Sequence, residues 1–479
     1  MVDREAVRSN AKYLRRVRPI DPEEIHEYVE GTPHPAVVRQ VLREEAVDLG
    51  LIERDDGTFV PVPDDPVSPP GWSPTAFPGR YGMALEDRLV ERFGANWHRG
   101  ESGDALRETI RRFKADYLTG SPVEYDETTA LGYAIYHLPD YYAAVGYVLD
   151  DLAERGLLPR RLSVCDVGAG VGGPALGLVD YLPDDALVDY HAVEPSAAAD
   201  VLERVLAETG PNVHATIHRE RAEAFDAATA APGGAEGEDG DADAGFDLVL
   251  LGNVLSELDD PVAVVQRYLD ALAPDGSLVA LAPADLETAT GLREVERAVA
   301  PPGGDVTVYS PTLRLWPDAA PSDRGWSFDL RPDLDVPGFQ RRLNEAGDGD
   351  GEFVNVDVQY AYAILRTDGE RRTPVTASPR RHARMADMER HVTERVDLLA
   401  VKLSRDLADG GNPVFKIGDG SETTGCFAVL ARESALNESL VGADYGDVLA
   451  FENALVLWND DEAAYNVVVD AETVVDFVA

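Results

Sequence analysis

The sequence predicts an α/β protein in three parts: a doubly wound core, a helical module ahead of it and a small β-barrel behind it. Three observations carry that prediction. Residues 160–366 alternate strand-like and helix-like stretches, the pattern of a mostly parallel sheet. Residues 1–65 read helix, helix, helix, hairpin, and residues 395–479 hold a series of short alternating strands. A chain of 479 residues also exceeds what one core organises, so roughly two to four domains are expected.

At the start, "REAVRSNAKYLRRV" is amphipathic, "DPEEIHEYVEG" opens on Asp21 as a cap before Pro22, and "HPAVVRQVLREEAVDLG" ends at Gly50. "LIERDDGTFVPV" then reads as a hairpin turning at Asp56-Gly57. This order is winged-helix-like over 1–65, a module that docks on nucleic acid or on protein; Arg39 and Arg43 on its third helix are balanced by Glu44, Glu45 and Asp48. Residues 66–159 form a linker and a helical region. The linker is the Pro-rich "PVPDDPVSPPGWSPTAFPG" at 61–79, and the helices end in the tyrosine-rich "LGYAIYHLPDYYAAVGYVLDDLAERG", read as core.

The core domain spans 160–370. "RLSVCDVG", "ALVDYHAVEP", "FDLVLLGNVL" and "SLVALAPA" are its strands, and "VNVDVQYAYAILR" is a strand beside the sheet's edge. The acidic, low-complexity stretch 230–245 is a solvated insertion. Residues 371–394 are a basic linker. The strands of 395–479, separated by Gly and Asn-Asp turns, suggest an OB-like barrel, a fold that commonly holds single-stranded nucleic acid.

Charge bounds the setting. Asp and Glu number 88 against 43 Lys and Arg, a net charge of −45, and the only lysines are Lys12, Lys114, Lys402 and Lys416. The acids are spread along the whole chain, which resembles the adaptation of proteins from salt-accumulating halophiles. Such acidity describes the solvent and does not exclude a nucleic-acid partner. No apolar run approaches the ~18–20 residues that cross a bilayer, and "MVDREAVRSNAKYLRRVR" lacks the apolar segment of a secretory signal. A cytoplasmic protein without a membrane partner is expected. Cys165 and Cys426 fit no disulfide or metal spacing, so no metal site is expected.

Chemistry concentrates at "CDVGAGVGGPA", residues 165–175, between a strand and a helix as a nucleotide-cofactor loop requires. Gly168, Gly170 and Gly172 let the backbone approach a ligand that a side chain would block, and Ala169 belongs to the same cofactor loop. Asp166 is placed to accept from a ligand amino group, and Glu194, ending the next strand, to bind both ribose hydroxyls. The G-x-G-x-x-G spacing of dinucleotide sites is absent. Acid-x-Gly-x-Gly-x-Gly with an acid ending strand two resembles a class I S-adenosylmethionine site, and "FDLVLLGNVLSEL" matches that superfamily's fourth-strand motif. In this reading the core is a Rossmann-like class I methyltransferase domain and Asn253 also belongs to the cofactor site, orienting cofactor or substrate. Glu257 reads as an acid or base, or simply as a helix cap. The Asn/Asp-Pro-Pro-aromatic motif of enzymes acting on exocyclic base amines is missing from "GNVLSEL", so no catalytic residue is named.

"GYAIYHLPDYYAAVGYVLDDL", "VCDVGAGVGGPA" and "GNVLSEL" together resemble the methyltransferase-like family of mitochondrial small-ribosomal-subunit assembly proteins and their prokaryotic relatives, with "QYAYAILRTDG" and the barrel in keeping. The resemblance covers about 80–366 and implies action on the small ribosomal subunit or its rRNA, by methylation or by assembly with S-adenosylmethionine as a structural ligand. A small-molecule methyltransferase is the third reading. Relatives carry cysteines in a Pro-Cys…Cys-Pro…Trp-Cys frame resembling an iron–sulfur site. Here Pro311, Pro317 and Trp326 persist, while Thr312, Trp316 and Ser327 stand where thiolates would be needed, so no cluster is expected.

Two basic islands point to RNA. Residues 371–395 hold seven arginines against three acids, and 1–18 hold six basic residues against two acids. Arg371, Arg372, Arg380, Arg381 and Arg384 are the expected RNA contacts. At molar salt the Debye length is only ~3 Å, so such contacts would work at short range, by arginine stacking and the barrel's aromatics.

Overall fold

A computed structural model describes residues 2–118, 123–232, 245–322 and 326–478. It divides into two compact units, Met1–Leu250 with Asp333–Asp357, and Leu251–Pro332 with Val358–Ala479. The acidic insertion expected at 230–245 lies mostly outside the described residues.

The first unit begins with α1 (Arg4–Leu14), α2 (Pro22–Ile25), α3 (Pro35–Glu44) and α4 (Ala46–Leu49), followed by the hairpin β1 (Leu51–Glu53) and β2 (Phe59–Pro61). Asp21 accepts from the Glu23 N–H as a cap, but the helix it starts is one turn long and passes into a 3-10 turn at His26–Tyr28. The third expected helix breaks at Glu45 and ends at Gly50, whose φ of +61° closes the chain in a left-handed cap. Val7, Ala11, Ile25, Val38, Leu42 and Phe59 form the module's core. Glu53, its side chain only 3% exposed, takes both Arg39 and Arg43. Its backbone N–H donates to Asn212 Oδ1 at 2.7 Å, and Asn212 Nδ2 returns a bond to the Glu53 carbonyl at 3.1 Å.

The Pro-rich stretch at 61–79 is packed. Val67 and Phe77 are buried, and the Trp72 indole donates to the Ala143 carbonyl at 2.9 Å. A Cβ on Gly146 would lie 2.3 Å from that indole. The helices α5 (Gly79–Phe93), α6 (Gly100–Leu118) and α7 (Glu127–Ala153) follow. Then β3 (Arg161–Val167), α8 (Gly173–Tyr181), β4 (Leu187–Val193), α9 (Ala198–Leu206), β5 (Val213–His218), α10 (Ala227–Ala230) and β6 (Phe246–Gly252) alternate. Within this unit the strands run parallel in the order β5-β4-β3-β6, a Rossmann-like core.

Helix α7, 27 residues long, is buried on nearly all faces and contains Pro139. A proline inside a helix cannot donate to the carbonyl four residues earlier, which here is Ile135. Gln340, fully buried on α13 (Gly338–Glu345), replaces that donor. Its Nε2 donates to the Ile135 carbonyl at 2.9 Å and also reaches those of Tyr136 at 3.2 Å and Asn355 at 3.0 Å. Its Oε1 accepts from the Asn355 N–H at 3.1 Å.

The second unit holds α11 (Pro261–Leu269), β7 (Leu272–Pro283), α12 (Leu286–Val299), β8 (Thr307–Ser310), β9 (Asp329–Arg331) and β10 (Val358–Arg366). β10 lies between β7 and β8, antiparallel to both, and β9 pairs with its start. A closed barrel of β11 (Arg395–Lys402), β12 (Val414–Gly418), β13 (Cys426–Leu430), β14 (Val448–Asn459) and β15 (Ala464–Val469) follows. The strand order β11-β12-β13-β15-β14 closes through β14–β11, with β13 and β15 parallel. With the short α14 (Ser439–Gly442) between β13 and β14 the barrel is OB-like, and β16 (Val474–Phe477) adds to β14. The frame at 311–327 is tied to this barrel by the Trp316 indole, which donates to Asp419 Oδ2 at 2.7 Å, and by Ser327 Oγ, 3.0 Å from the Tyr445 hydroxyl.

Two substitutions test these ties. Glu53→Ala strands two partly exposed guanidinium groups and is expected to cost about 2–3 kcal/mol, below the ~3–5 kcal/mol of a fully enclosed pair. Thermal and urea unfolding of the full chain reads this. Gln340→Leu leaves the Ile135 carbonyl unsatisfied, at about 1–3 kcal/mol. In a Pro139→Ala background, where the helix backbone regains its missing N–H, the same change should cost clearly less. Strict additivity across that double-mutant cycle would refute the compensation.

Candidate functional site

Strand β3 delivers Asp166 and the glycine loop to the end of the first unit's sheet. Gly168, Gly170 and Gly172 have φ of +67°, +54° and +94°, a conformation that only glycine adopts without strain. The loop is pinned by the Gly168 N–H, which donates to the Val193 carbonyl at the end of β4 at 2.8 Å, and Ala169 is buried beneath it. Beyond the loop, α8 presses on α7. A Cβ on Gly173 would lie 2.7 Å from Tyr141 Cβ, and one on Gly177 would lie 2.2 Å from the Tyr142 carbonyl oxygen.

Glu194 follows β4 and is buried. Its Oε2 accepts from the Gly170 N–H at 2.9 Å and its Oε1 from the Ser196 N–H at 2.8 Å. The carboxylate therefore braces the loop from the second strand, and each oxygen keeps a lone pair for a further donor. Asp166 is completely buried. Its Oδ2 accepts from the Tyr190 hydroxyl, while Oδ1 has no partner. Burial pushes this carboxyl up to about 7, with the Tyr190 hydrogen bond pulling against it and the Glu194 charge adding to it. A buried acceptor without a donor costs free energy, and a cationic donor at Oδ1 would relieve that cost.

Of the cofactor residues expected from the sequence, the first unit brings together Asp166, Gly168, Ala169, Gly170, Gly172 and Glu194. Asn253 belongs to the second unit. There it holds a left-handed φ of +62° and donates its N–H to the Leu281 carbonyl at 3.0 Å. Glu257 ends a 3-10 turn, Leu255–Glu257.

The sequence reading passed over the polar face of α7. Asn355 Nδ2 donates to Asp140 Oδ2 at 3.0 Å and lies 3.2 Å from His137 Nδ1. His137 stacks on Tyr141, centroids 5.0 Å apart, and lies 4.8 Å from Tyr133. The available signal was Pro139 itself, a proline inside a helical pattern. Nothing local announces Gln340 or Asn355, some 200 residues downstream.

The expected RNA contacts divide. Arg371 donates to the Arg314 carbonyl at 2.9 Å, and burial, with the Arg314 charge, lowers its pKa. Arg372 acts electrostatically on Asp447. Arg384 binds Asp318 at 3.0 Å and lies over the Trp316 ring. Arg380 and Arg381 are exposed. In the N-terminal island, Arg4 and Arg8 pair with Glu44, Glu45 and Asp48, and Arg18 pairs with Glu24. Among the described residues no group of three or more His, Cys, Asp or Glu side chains could hold a metal ion, and no helix is long and apolar enough to cross a membrane.

Comparison with known proteins adds the following. Residues 165–278 match the family model described as a methyltransferase domain. Residues 4–55 and 386–478 match the N-terminal and C-terminal domains of a domain of unknown function, DUF8157. No curated protein matches the chain. Among solved structures, the plantazolicin methyltransferase BpumL, in complex with a monoazolic desmethylPZN analog and SAH, is 11% identical over 59% of this chain and 99% of its own, with a TM-score of 0.32. The mitomycin 7-O-methyltransferase MmcR is 14% identical over 76% and 92%, TM-score 0.28. The O-methyltransferase NcsB1 from neocarzinostatin biosynthesis is 13% identical over 76% and 95%, TM-score 0.28. Over residues 165–278 this chain is thus similar to methyltransferase domains.

Proposed function

We propose that the first unit binds S-adenosylmethionine and that the protein methylates RNA of the small ribosomal subunit. The observation that carries the cofactor reading is Asp166, buried at the root of the glycine loop with Oδ1 unpartnered. Its carboxylate would accept the cofactor's ammonium, Glu194 would accept from the ribose hydroxyls, and the glycines at 168, 170 and 172 would let the backbone approach the ligand. Bound there, S-adenosylmethionine supplies an electrophilic methyl group on a sulfonium.

The barrel and the basic linker bear on the RNA partner. That partner is supported by the family resemblance of the α7 and loop motifs, by the exposed Arg380 and Arg381, and by barrel aromatics open to solvent. Trp458 is 40% exposed and packs edge-on against Tyr465, centroids 4.9 Å apart. Aromatic faces on a barrel stack bases without sequence preference. A second reading, a ribosome assembly factor that keeps the cofactor as a structural ligand, is favoured by "GNVLSEL", which lacks the Pro-Pro-aromatic element that holds a base amine.

Titration with S-adenosylmethionine tests the site. Because the free Asp166 carboxyl is held near 7 and the ligand's cation binds the ionised form, affinity should rise as pH increases from 6 to 8. Asp166→Asn should flatten that rise and weaken binding at pH 8 by about 10-fold or more, the value of a charge-assisted hydrogen bond. It should also raise the thermal midpoint of the free protein at pH 8, since a buried charge is gone. Wild-type protein that retains no cofactor would sink the proposal. For RNA, Arg380→Glu with Arg381→Glu should weaken binding to immature small subunits and shallow the salt dependence by up to about two phosphate contacts; unchanged binding across salt would refute that role. Labelled-methyl transfer to those subunits separates the enzyme from the assembly factor.

A further inference from the structure

The helix that closes over the glycine loop carries a second buried carboxylate with an oxygen nothing satisfies. Asp140 on α7 is buried, and its Oδ1 has no hydrogen-bond partner. Its Oδ2 accepts from Asn355 Nδ2. The same amide nitrogen lies 3.2 Å from His137 Nδ1, and His137 Nδ1 lies 3.3 Å from Asp140 Oδ2, so both neighbours meet Oδ2 and leave Oδ1 unmet.

The same helix carries a row of aromatic rings next to Asp140 in the chain. His137 stacks on Tyr141 with an interplanar angle of 11°, and Tyr133 lies 4.8 Å from His137 and 6.3 Å from Tyr141, centroid to centroid. Tyr125 continues the row, 5.5 Å from Tyr133. The row abuts the cofactor loop at both ends. Tyr141 Cβ sits where a side chain on Gly173 would start, and the Tyr125 carbonyl accepts from the Ala197 N–H, just beyond the Ser196 that binds Glu194. A buried carboxylate oxygen lacking a donor attracts an organic cation, and aromatic rings carried on the same helix add cation–π attraction.

We infer that Asp140, with the rings of Tyr133, His137 and Tyr141, forms a subsite for an organic cation, the sulfonium or the ammonium of S-adenosylmethionine. This rests on the cofactor reading above and adds to it a binding residue outside the glycine loop. Its occupancy would couple α7, the segment that carries Asn355, and the loop in one liganded arrangement.

Calorimetric titration of the full chain tests it, with S-adenosylmethionine and S-adenosylhomocysteine as probes and the thermal midpoint as control. Asp140→Asn should weaken S-adenosylmethionine binding at least 10-fold, with the midpoint unchanged or raised. S-adenosylhomocysteine keeps the ammonium and lacks the sulfonium charge. Loss confined to S-adenosylmethionine assigns the subsite to the sulfonium, and equal loss with both assigns it to the ammonium. Wild-type-like binding of S-adenosylmethionine by Asp140→Asn overturns the subsite and leaves the cofactor reading standing, whereas a wild type that binds neither probe takes down both. Should Asp140→Asn lower the midpoint, Tyr141→Phe and Tyr141→Leu decide: affinity kept by Phe and lost by Leu supports the ring's role, and affinity kept by both overturns it.

Discussion

Pro139 removes one hydrogen-bond donor from the middle of a long buried helix, and much of the first unit is organised around that deficit. A helix buried on nearly all faces cannot leave the Ile135 carbonyl to water. The donor comes from Gln340, on a stretch that leaves the second unit's sequence and returns to the first. The same stretch brings Asn355, which holds Asp140 and His137. The repair of that missing N–H is one of the ties that hold 333–357 in the first unit, beside Arg107 on the Leu343 carbonyl and Arg111 on Glu352. The tight contacts at Gly173 and Gly177 then transmit the position of α7 to the loop.

Electrostatics in this molecule follow a consistent division. In the N-terminal island Arg4, Arg8 and Arg18 are spent on the protein's own acids, and farther along the module Glu53 takes Arg39 and Arg43 at once. The unit's unpartnered carboxylate oxygens, Asp166 Oδ1 and Asp140 Oδ1, are buried on the elements that frame the loop. Exposed ion pairs contribute little to stability. A buried carboxylate without a donor is costly, so its persistence beside a ligand-type loop carries more information than the surface charge does.

Legibility in the sequence differed by the range of the interactions involved. The loop at 165–175 was readable because left-handed backbone demands glycine locally, and the acids ending β3 and β4 sit at fixed distances from it. The barrel strands were readable from their alternation and turns. Strand β5, "VHATIH", escaped because it is half exposed and mixes polar with apolar residues. Helix α12, "LETATGLREVERAV", escaped because Gly291 and two threonines dilute its periodicity. The Pro-rich stretch 61–79 read as a linker because composition does not reveal that Trp72 has Gly146 to lie against.

The amino-acid sequence alone determined the strand–loop–helix core, the glycine positions and the alternating barrel strands, since each depends on backbone preferences within a few residues. Tertiary structure alone decided which charges are neutralised, that Gln340 repairs the break at Pro139, and that Asp140 and Asp166 each keep a bare oxygen. Those outcomes depend on which groups meet across gaps of more than two hundred residues, and hydrogen bonds of that span leave no periodic trace in the chain.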